Sequence, residues 1–419
     1  MKVCIFEDEK VTLLYPLSLT RPAFELKCGH GSLREKILRL FPGARVSYSV
    51  REYLAGSFKE KSGATSVNSL SDIPTDDCLF INGRWLVLDE KFEIPREEQA
   101  AYCGDDLLYL FAKKERLTKA VSNSIGELVK TLSTSLPKKE VKAKVIRYPW
   151  NLIQENPQAL RSDFKVQGRH GIEGKIHDYV SIIGNPSDLY VAATSEVQPF
   201  SVLDTTHGPI YIDEGVTIYP HSRIEGPSFI GKGTAIYGAN VREGCSIGPV
   251  CRVGGEVEES IFHAYSNKYH AGFIGHSYLG EWINLGAMTT NSDLKNDYST
   301  VQLYVEGVLL DSGDTKVGSF IGDHTKTGLS TLLNTGTICG AMCNILPMGD
   351  LLPKFIPSFC WFFRGRFSKG KGFKSFLETA RIAMSRRKVE LTQIEAEMLR
   401  AAYDLTETER LEEIKKSRG

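Results

Sequence analysis

Residues 210–253 read IYIDEGVTIYPHSRIEGPSFIGKGTAIYGANVREGCSIGPVCRV, and their spacing decides the fold. Ile212, Ile218, Ile224, Ile230 and Ile236 recur every six positions; after a slip of one residue, Val241, Ile247 and Val253 resume the series. Gly or another small residue often comes next. A second run, Ile321, Thr327, Leu333, Cys339 and Ile345, keeps the spacing, with Gly322, Gly328 and Gly340 directly behind three of its members. Neither the helical period of about 3.6 nor strand alternation produces a period of six. A β-solenoid does: three short strands per coil each turn one side chain inward, and small residues occupy the corners. An ordinary sandwich with regularly spaced turns would not put so many residues on one grid.

Around this grid the chain has 419 residues, 42% hydrophobic, enough for two or three domains with buried cores. Its 51 basic and 51 acidic residues cancel, so no global charge steers it to nucleic acid or a membrane surface. Nine cysteines at irregular positions suggest no disulfide framework and read as reduced, mostly buried thiols of a cytoplasmic protein. Cys339 and Cys343 lack a second pair or a nearby His to complete a zinc set, and Cys339 is already on the grid. The apolar start, Met1 to Phe6, is too short for a signal peptide or membrane span. Phe359 to Phe363, followed by Arg364 and Arg366, is the most membrane-like patch, and reads as core or packing surface.

Before the grid, strands at Val3–Phe6, Arg45–Val50, Cys78–Asn82, Leu107–Phe111 and Lys144–Tyr148 alternate with helical stretches such as Ser32–Leu40. That alternation predicts an α/β, Rossmann-like domain with a mainly parallel sheet over residues 1–164. Ligands of such sheets sit at the carboxyl ends of strands, here the loop after Phe6 and Asn82-Gly83-Arg84. Pro149 to Phe164 is expected as a linking segment, helical in part and interrupted by Pro157. Strand structure should begin by about Val180 and the solenoid domain should span 165–355. Beyond Ile345 the grid stops. Over 356–419, Leu377, Ala380 and Met384, then Ile394, Met398 and Ala401, fall at helical spacing behind capping boxes Ser375/Glu378 and Thr392/Glu395. These helices would close the open solenoid.

The segment from Ser266 to Thr289 crowds the grid with polar, titratable and aromatic side chains that a structural coil does not need. It resembles the acetyltransferase half of the bifunctional UDP-N-acetylglucosamine pyrophosphorylase/glucosamine-1-phosphate acetyltransferase family. That family has a catalytic His, Gly residues five and ten positions on, an Asn, then Gly-Ala-Gly-Thr. Here His270, Gly275, Gly280, Asn284, Gly286, Ala287 and Thr289 match without a gap. The resemblance implies a left-handed β-helix, acetyl-CoA as co-substrate and a homotrimer. It makes His270 the base that takes the amine proton, a task suited to imidazole. It makes Asn284 a sugar ligand, the backbone near Ala287 a partner of the thioester carbonyl, and Arg252 a phosphate ligand, with Gly254 where a second arginine is expected. Lys295 falls where the family places acceptor ligands, and Lys326 near its coenzyme A site. Phe273 and Met288 replace a Tyr and a Gly of the family. His276 stays open as an alternative base, and His324 as either a coenzyme contact or a turn residue.

The first domain resembles sugar nucleotidylyltransferases more weakly. Thr20 and Arg21 match the Thr-Arg that ends their Gly-rich phosphate loop, and Lys36 or Lys27 would bind phosphate, yet no glycine precedes Thr20. Asn82-Gly83 stands where the family has Gly-Asp, so the carboxylate expected to hold Mg2+ is missing. A divergent subgroup of such proteins, each followed by a β-helix, resembles nearly the whole chain at Leu19 to Pro22, Glu25-Leu26, Glu35-Lys36 and Asn82 to Arg84. The expected function is acetylation of an amino-sugar 1-phosphate, together with nucleotidyl transfer from a nucleoside triphosphate. Two readings remain open: a nucleotidylyltransferase with a structural β-helix, and a non-catalytic regulatory or assembly subunit.

Overall fold

Val3, Cys4 and Ile5 are apolar on both faces of one strand, as a strand covered on both sides requires, and each is fully buried. The computed structural model describes residues 1–417 and resolves into two compact units. The first comprises Met1–Leu14, Thr20–Leu26 and Gly31–Tyr148. Its sheet contains β1 (Lys2–Phe6), β2 (Arg45–Ser49), β3 (Cys78–Asn82), β4 (Gln99–Cys103), β5 (Asp106–Ala112) and β6 (Lys138–Glu140) in the order β2-β1-β3-β5-β4-β6. β1 runs parallel to both β2 and β3, which sets the ends of β1 and β3 side by side; β5 is antiparallel to β3 and β4. The sheet is therefore more mixed than expected, and Lys144–Val145 is only a two-residue strand. Helices α1 (Leu33–Arg39), α2 (Glu52–Ser62), α3 (Lys114–Lys119) and α4 (Ile125–Ser135) complete the unit. A reciprocal capping box of Ser32 and Glu35 starts α1.

The second unit comprises Tyr15–Leu19, Lys27–His30 and the chain from Pro149 onward. It is a parallel β-solenoid followed by helices. The isoleucine grid becomes stacked columns: Val191, Ile212, Ile230 and Ile247 are register partners on one face, and Val197, Ile218, Ile236 and Val253 on the next. All eight are completely buried. Coil strands begin at Gly171–Ile172, within the expected start by about Val180. Two expectations need correction. Pro157 does not interrupt the linking segment, which is one helix, α5 (Pro149–Gln167). Its Leu160 and Phe164 pack on Tyr190, Tyr211 and Phe229, contacts that outweigh the one backbone hydrogen bond proline removes. The solenoid also runs past Ile345, because Phe355–Ile356 and Trp361–Phe363 add another coil. Phe359, Cys360 and Phe362 are accordingly core.

Three helices follow: α6 (Phe373–Ser385), α7 (Gln393–Leu405) and α8 (Glu407–Lys416). Thr392 caps α7 as read, its side chain accepting from Glu395 N at 3.1 Å, whereas Gly372 rather than Ser375 precedes α6. Ile414 of α8 joins the solenoid core beside Phe362 and Phe367, closing its last coil. The described cysteines are all free thiols, and every one but Cys103 is buried. Among the described residues no helix is long and apolar enough to cross a membrane.

Candidate functional site

Arg252, Asn267 and Asn284 lie one above another because Arg252 pairs with Asn267, and Asn267 with Asn284, on successive coils. The corner that follows Asn267–Lys268 carries His270, exposed beside the ring of Tyr269. The column and the corner face one cavity of about 440 Å3, which Ala287 also lines. Four residues expected to act together, Arg252, His270, Asn284 and Ala287, are thus brought together. Arg252 is tied to the wall by Nη1, which donates to the carbonyls of Gly233 at 3.0 Å and Cys251 at 2.9 Å. The Asn284 side-chain oxygen accepts from Asn267 at 3.3 Å.

The second arginine expected at position 254 is excluded by sterics: a Cβ there would lie 2.0 Å from the Tyr269 carbonyl oxygen. The turn that ends α6 provides two others. Arg386 and Arg387 line the same cavity, and Arg387 Nη2 donates to the Asn267 side-chain oxygen at 2.9 Å. Burial, then the charges of Arg252 and Arg386, push the Arg387 guanidinium below its ordinary value. Among the described residues no acidic side chain lines the cavity. Three guanidiniums and an imidazole around one hollow make a receptor for an anion with a proton acceptor at its rim. The run Arg386-Arg387-Lys388 was the available sequence signal, but nothing in the chain's order relates it to His270.

An adjoining cavity of about 340 Å3 holds Asn284, Lys326, Arg386 and Arg387 against the stacked rings of Tyr265 and Trp282, whose centroids are 4.2 Å apart. Lys326 donates to the His324 carbonyl at 2.8 Å, and burial pushes its ammonium down to about 8. The His324 ring stacks on Trp282. Lys295 lies away from both cavities, bonded within its own loop to Ser299 Oγ and to the Thr300 carbonyl at 3.2 Å. His276 belongs to a third cavity, of about 360 Å3, with Glu259, Lys316 and Trp150. Its Nδ1 meets Asp293 at 2.8 Å and its Nε2 lies 3.5 Å from Glu259.

In the first unit the ends of β1 and β3 are filled by a charge network. Arg84, fully buried, donates to Asp8 through Nε at 2.9 Å and Nη2 at 2.5 Å, and to Asp106 at 2.7 Å. Lys10 and Arg147 also hold Asp106, at 2.9 and 2.5 Å, and Asn82 donates to Asp8 at 2.9 Å. Burial alone would raise the Asp106 carboxyl, yet hydrogen bonds from Arg84, Lys10 and Arg147 hold it well below the usual carboxylate range. This donor set does not fit Mg2+: an amide stands at position 82, and Asp8 and Asp106 are already ligands of a guanidinium. Among the described residues no group of three His, Cys, Asp or Glu side chains could hold a metal ion. Thr20, Arg21 and Lys36, expected as phosphate ligands, are 6%, 8% and 1% exposed, so the structure places them in the interior and not on an open loop.

Residues 3–170 match the model of a family described as sugar nucleotidyl transferase. A bifunctional sugar-1-phosphate nucleotidylyltransferase/acetyltransferase of Sulfurisphaera tokodaii is 30% identical over 240 residues, covering 55% of this chain and 54% of that protein. The other curated relatives it matches include proteins named bifunctional protein GlmU. The bifunctional protein GlmU of Heliobacterium modesticaldum is 23% identical, over 61% of this chain and 60% of the relative. The chain thus spans just over half the length of these two relatives. The structure of Francisella novicida UDP-N-acetylglucosamine acyltransferase aligns with 57% of this chain and 89% of its own, at 14% identity and a TM-score of 0.31.

Proposed function

We propose that the solenoid unit acetylates an amino-sugar 1-phosphate, of the glucosamine-1-phosphate kind, from acetyl-CoA. The observation that carries this reading is the acid-free cavity in which Arg252, Arg386 and Arg387 surround His270 and Asn284. The arginines bind the sugar phosphate, and Asn284 holds a sugar hydroxyl. The amine attacks the thioester carbonyl, His270 accepts the proton it loses and passes it to the departing thiolate as the C–S bond breaks, and the coenzyme leaves as the thiol. The backbone near Ala287 receives the charge that develops on the carbonyl oxygen. Lys326, in the adjoining cavity, takes an anionic group of the coenzyme. Purified protein with acetyl-CoA and glucosamine-1-phosphate should release free thiol only when the sugar is present, and His270→Ala should abolish the release. Thiol release that survives His270→Ala would overturn the assignment.

Nucleotidyl transfer to a sugar 1-phosphate is proposed for residues 3–170 on their similarity to sugar nucleotidyl transferases. The Arg84 network favours a second reading of this unit, in which it binds a sugar nucleotide without turning it over. Pyrophosphate release from nucleoside triphosphate and sugar 1-phosphate, measured with and without Mg2+, separates the two.

A homotrimer is proposed as well. Tyr179, Phe200, Met288 and Met348 sit at solenoid corners with φ of 63°, 63°, 64° and 65°, a region that disfavours side chains, yet all four are exposed. Met288 follows Ala287 of the cavity in sequence. Exposed apolar corners of this kind suit burial against another copy of the chain. Sedimentation of Phe200→Asp beside wild type tests this, a monomer being the expected product.

A further inference from the structure

On the inward column of the solenoid's second face, Val197, Ile218, Ile236 and Val253 are followed by a lysine: Val253 pairs with Lys268. Lys268 is 2% exposed. A buried ammonium is costly, and a methionine of similar volume would suit this column better. The lysine must therefore be retained for what its head group does. Its Nζ donates to the carbonyls of Gly254 at 2.8 Å and His270 at 2.9 Å, tying the corners of two successive coils together from inside. The neighbouring backbone makes room for it. A Cβ on Gly255 would lie 2.6 Å from Nζ and 2.8 Å from the Gly272 carbonyl, and Gly255 has φ of +69°, where glycine is favoured. Asn267 and Tyr269, on either side of Lys268 in sequence, both line the His270 cavity.

We infer that Lys268 is a positioning residue, whose buried ammonium holds the Gly254 and His270 carbonyls and so fixes the turn that presents the His270 imidazole to the cavity. Burial also pushes this ammonium down to about 8 against the pull of Glu256, as expected for a charge kept inside an apolar column. The inference rests on the acetyl-transfer reading for its kinetic consequence, but its structural part stands apart from it.

The test compares full-length wild type, Lys268→Met and Lys268→Gln. Amide hydrogen exchange is followed on peptides spanning 254–272, and thiol release is measured with acetyl-CoA and glucosamine-1-phosphate. Lys268→Met should fold, keep KM for both substrates, lose ten- to hundredfold in kcat, and speed exchange at the 254–272 corners while the other coils keep their protection. Lys268→Gln, a shorter donor, should recover part of both effects and covers the case in which the methionine variant does not fold. Unchanged exchange at 254–272, or exchange that rises evenly through the solenoid, would overturn the inference. If wild type releases no thiol, the acetyl-transfer reading fails, and the exchange comparison still decides whether Lys268 fixes the turn.

Discussion

Arg387 donates to Asn267 across 2.9 Å, so the turn after α6 is bonded to the coil that presents His270. The candidate site is therefore built from the solenoid and the C-terminal helices together. Charge-assisted hydrogen bonds of this kind are worth about 1.5–3 kcal/mol. Arg387→Ala should raise KM for the sugar phosphate about ten- to hundredfold with kcat nearly unchanged, since phosphate binding is the same in ground and transition states. Steady-state kinetics with the sugar phosphate varied would check this.

The two histidines should separate cleanly. His270→Ala is expected to lower kcat for thiol release by about 10²- to 10⁴-fold, the usual contribution of a general base. His276→Ala should leave that rate standing and lower the thermal midpoint, because Asp293 and Glu259 lose the group between them. The reverse pattern would move the chemistry to the His276 cavity.

Arg84→Met removes the cation shared by Asp8 and Asp106 and leaves two carboxylates without their fork. A loss of about 3–5 kcal/mol is expected from breaking such a buried arrangement, readable as a shift of the urea midpoint of the first unit. Acid should act on the same network. The Asp106 pKa is lowered in the folded state, so its stabilising contribution is present above the ordinary carboxylate range and fades as pH falls towards the lowered value. Wild type should lose more stability on acidification than Arg84→Met does.

Lys268 gives the opposite sign. Its folded-state pKa is lowered to about 8 from 10.5, so the unfolded chain binds more protons between those values, and stability rises with pH across that window. Below pH 8 the full cost of the buried charge is present. Lys268→Met should thus be more stable than wild type at neutral pH, and the gap should close towards pH 10.5. Denaturant midpoints of both proteins across the window would measure it.

The solenoid was legible because its signal is local: the inward positions from Ile212 to Val253 are apolar at a fixed spacing whatever lies elsewhere, so they read as columns directly. The His270 to Thr289 motif was legible for the same reason, since three corners and two strands of consecutive coils lie within twenty residues. Pro157 misled because helix propensity is a weak local term, and the packing of Leu160 and Phe164 on Tyr190 and Tyr211 outweighed it. The helix start at Gly372 was hidden behind Ser375 and Glu378, which satisfy the capping pattern but lie inside α6.

The sequence by itself determined the three-sided solenoid, the strand that opens the first unit, and the set Arg252, His270, Asn284 and Ala287 as candidates for one site. Only the tertiary structure decided that Arg386 and Arg387 join them, that Lys268 stands inside the apolar column, and that Arg84 occupies the carboxylates of the first unit. The division has a physical cause. A repeat fixes its own neighbours through periodicity, so coils stack in the order they are written. Contacts between a coil and a helix more than a hundred residues later depend on how the last coil is closed, and on which charges can be buried only in company, which no local spacing records.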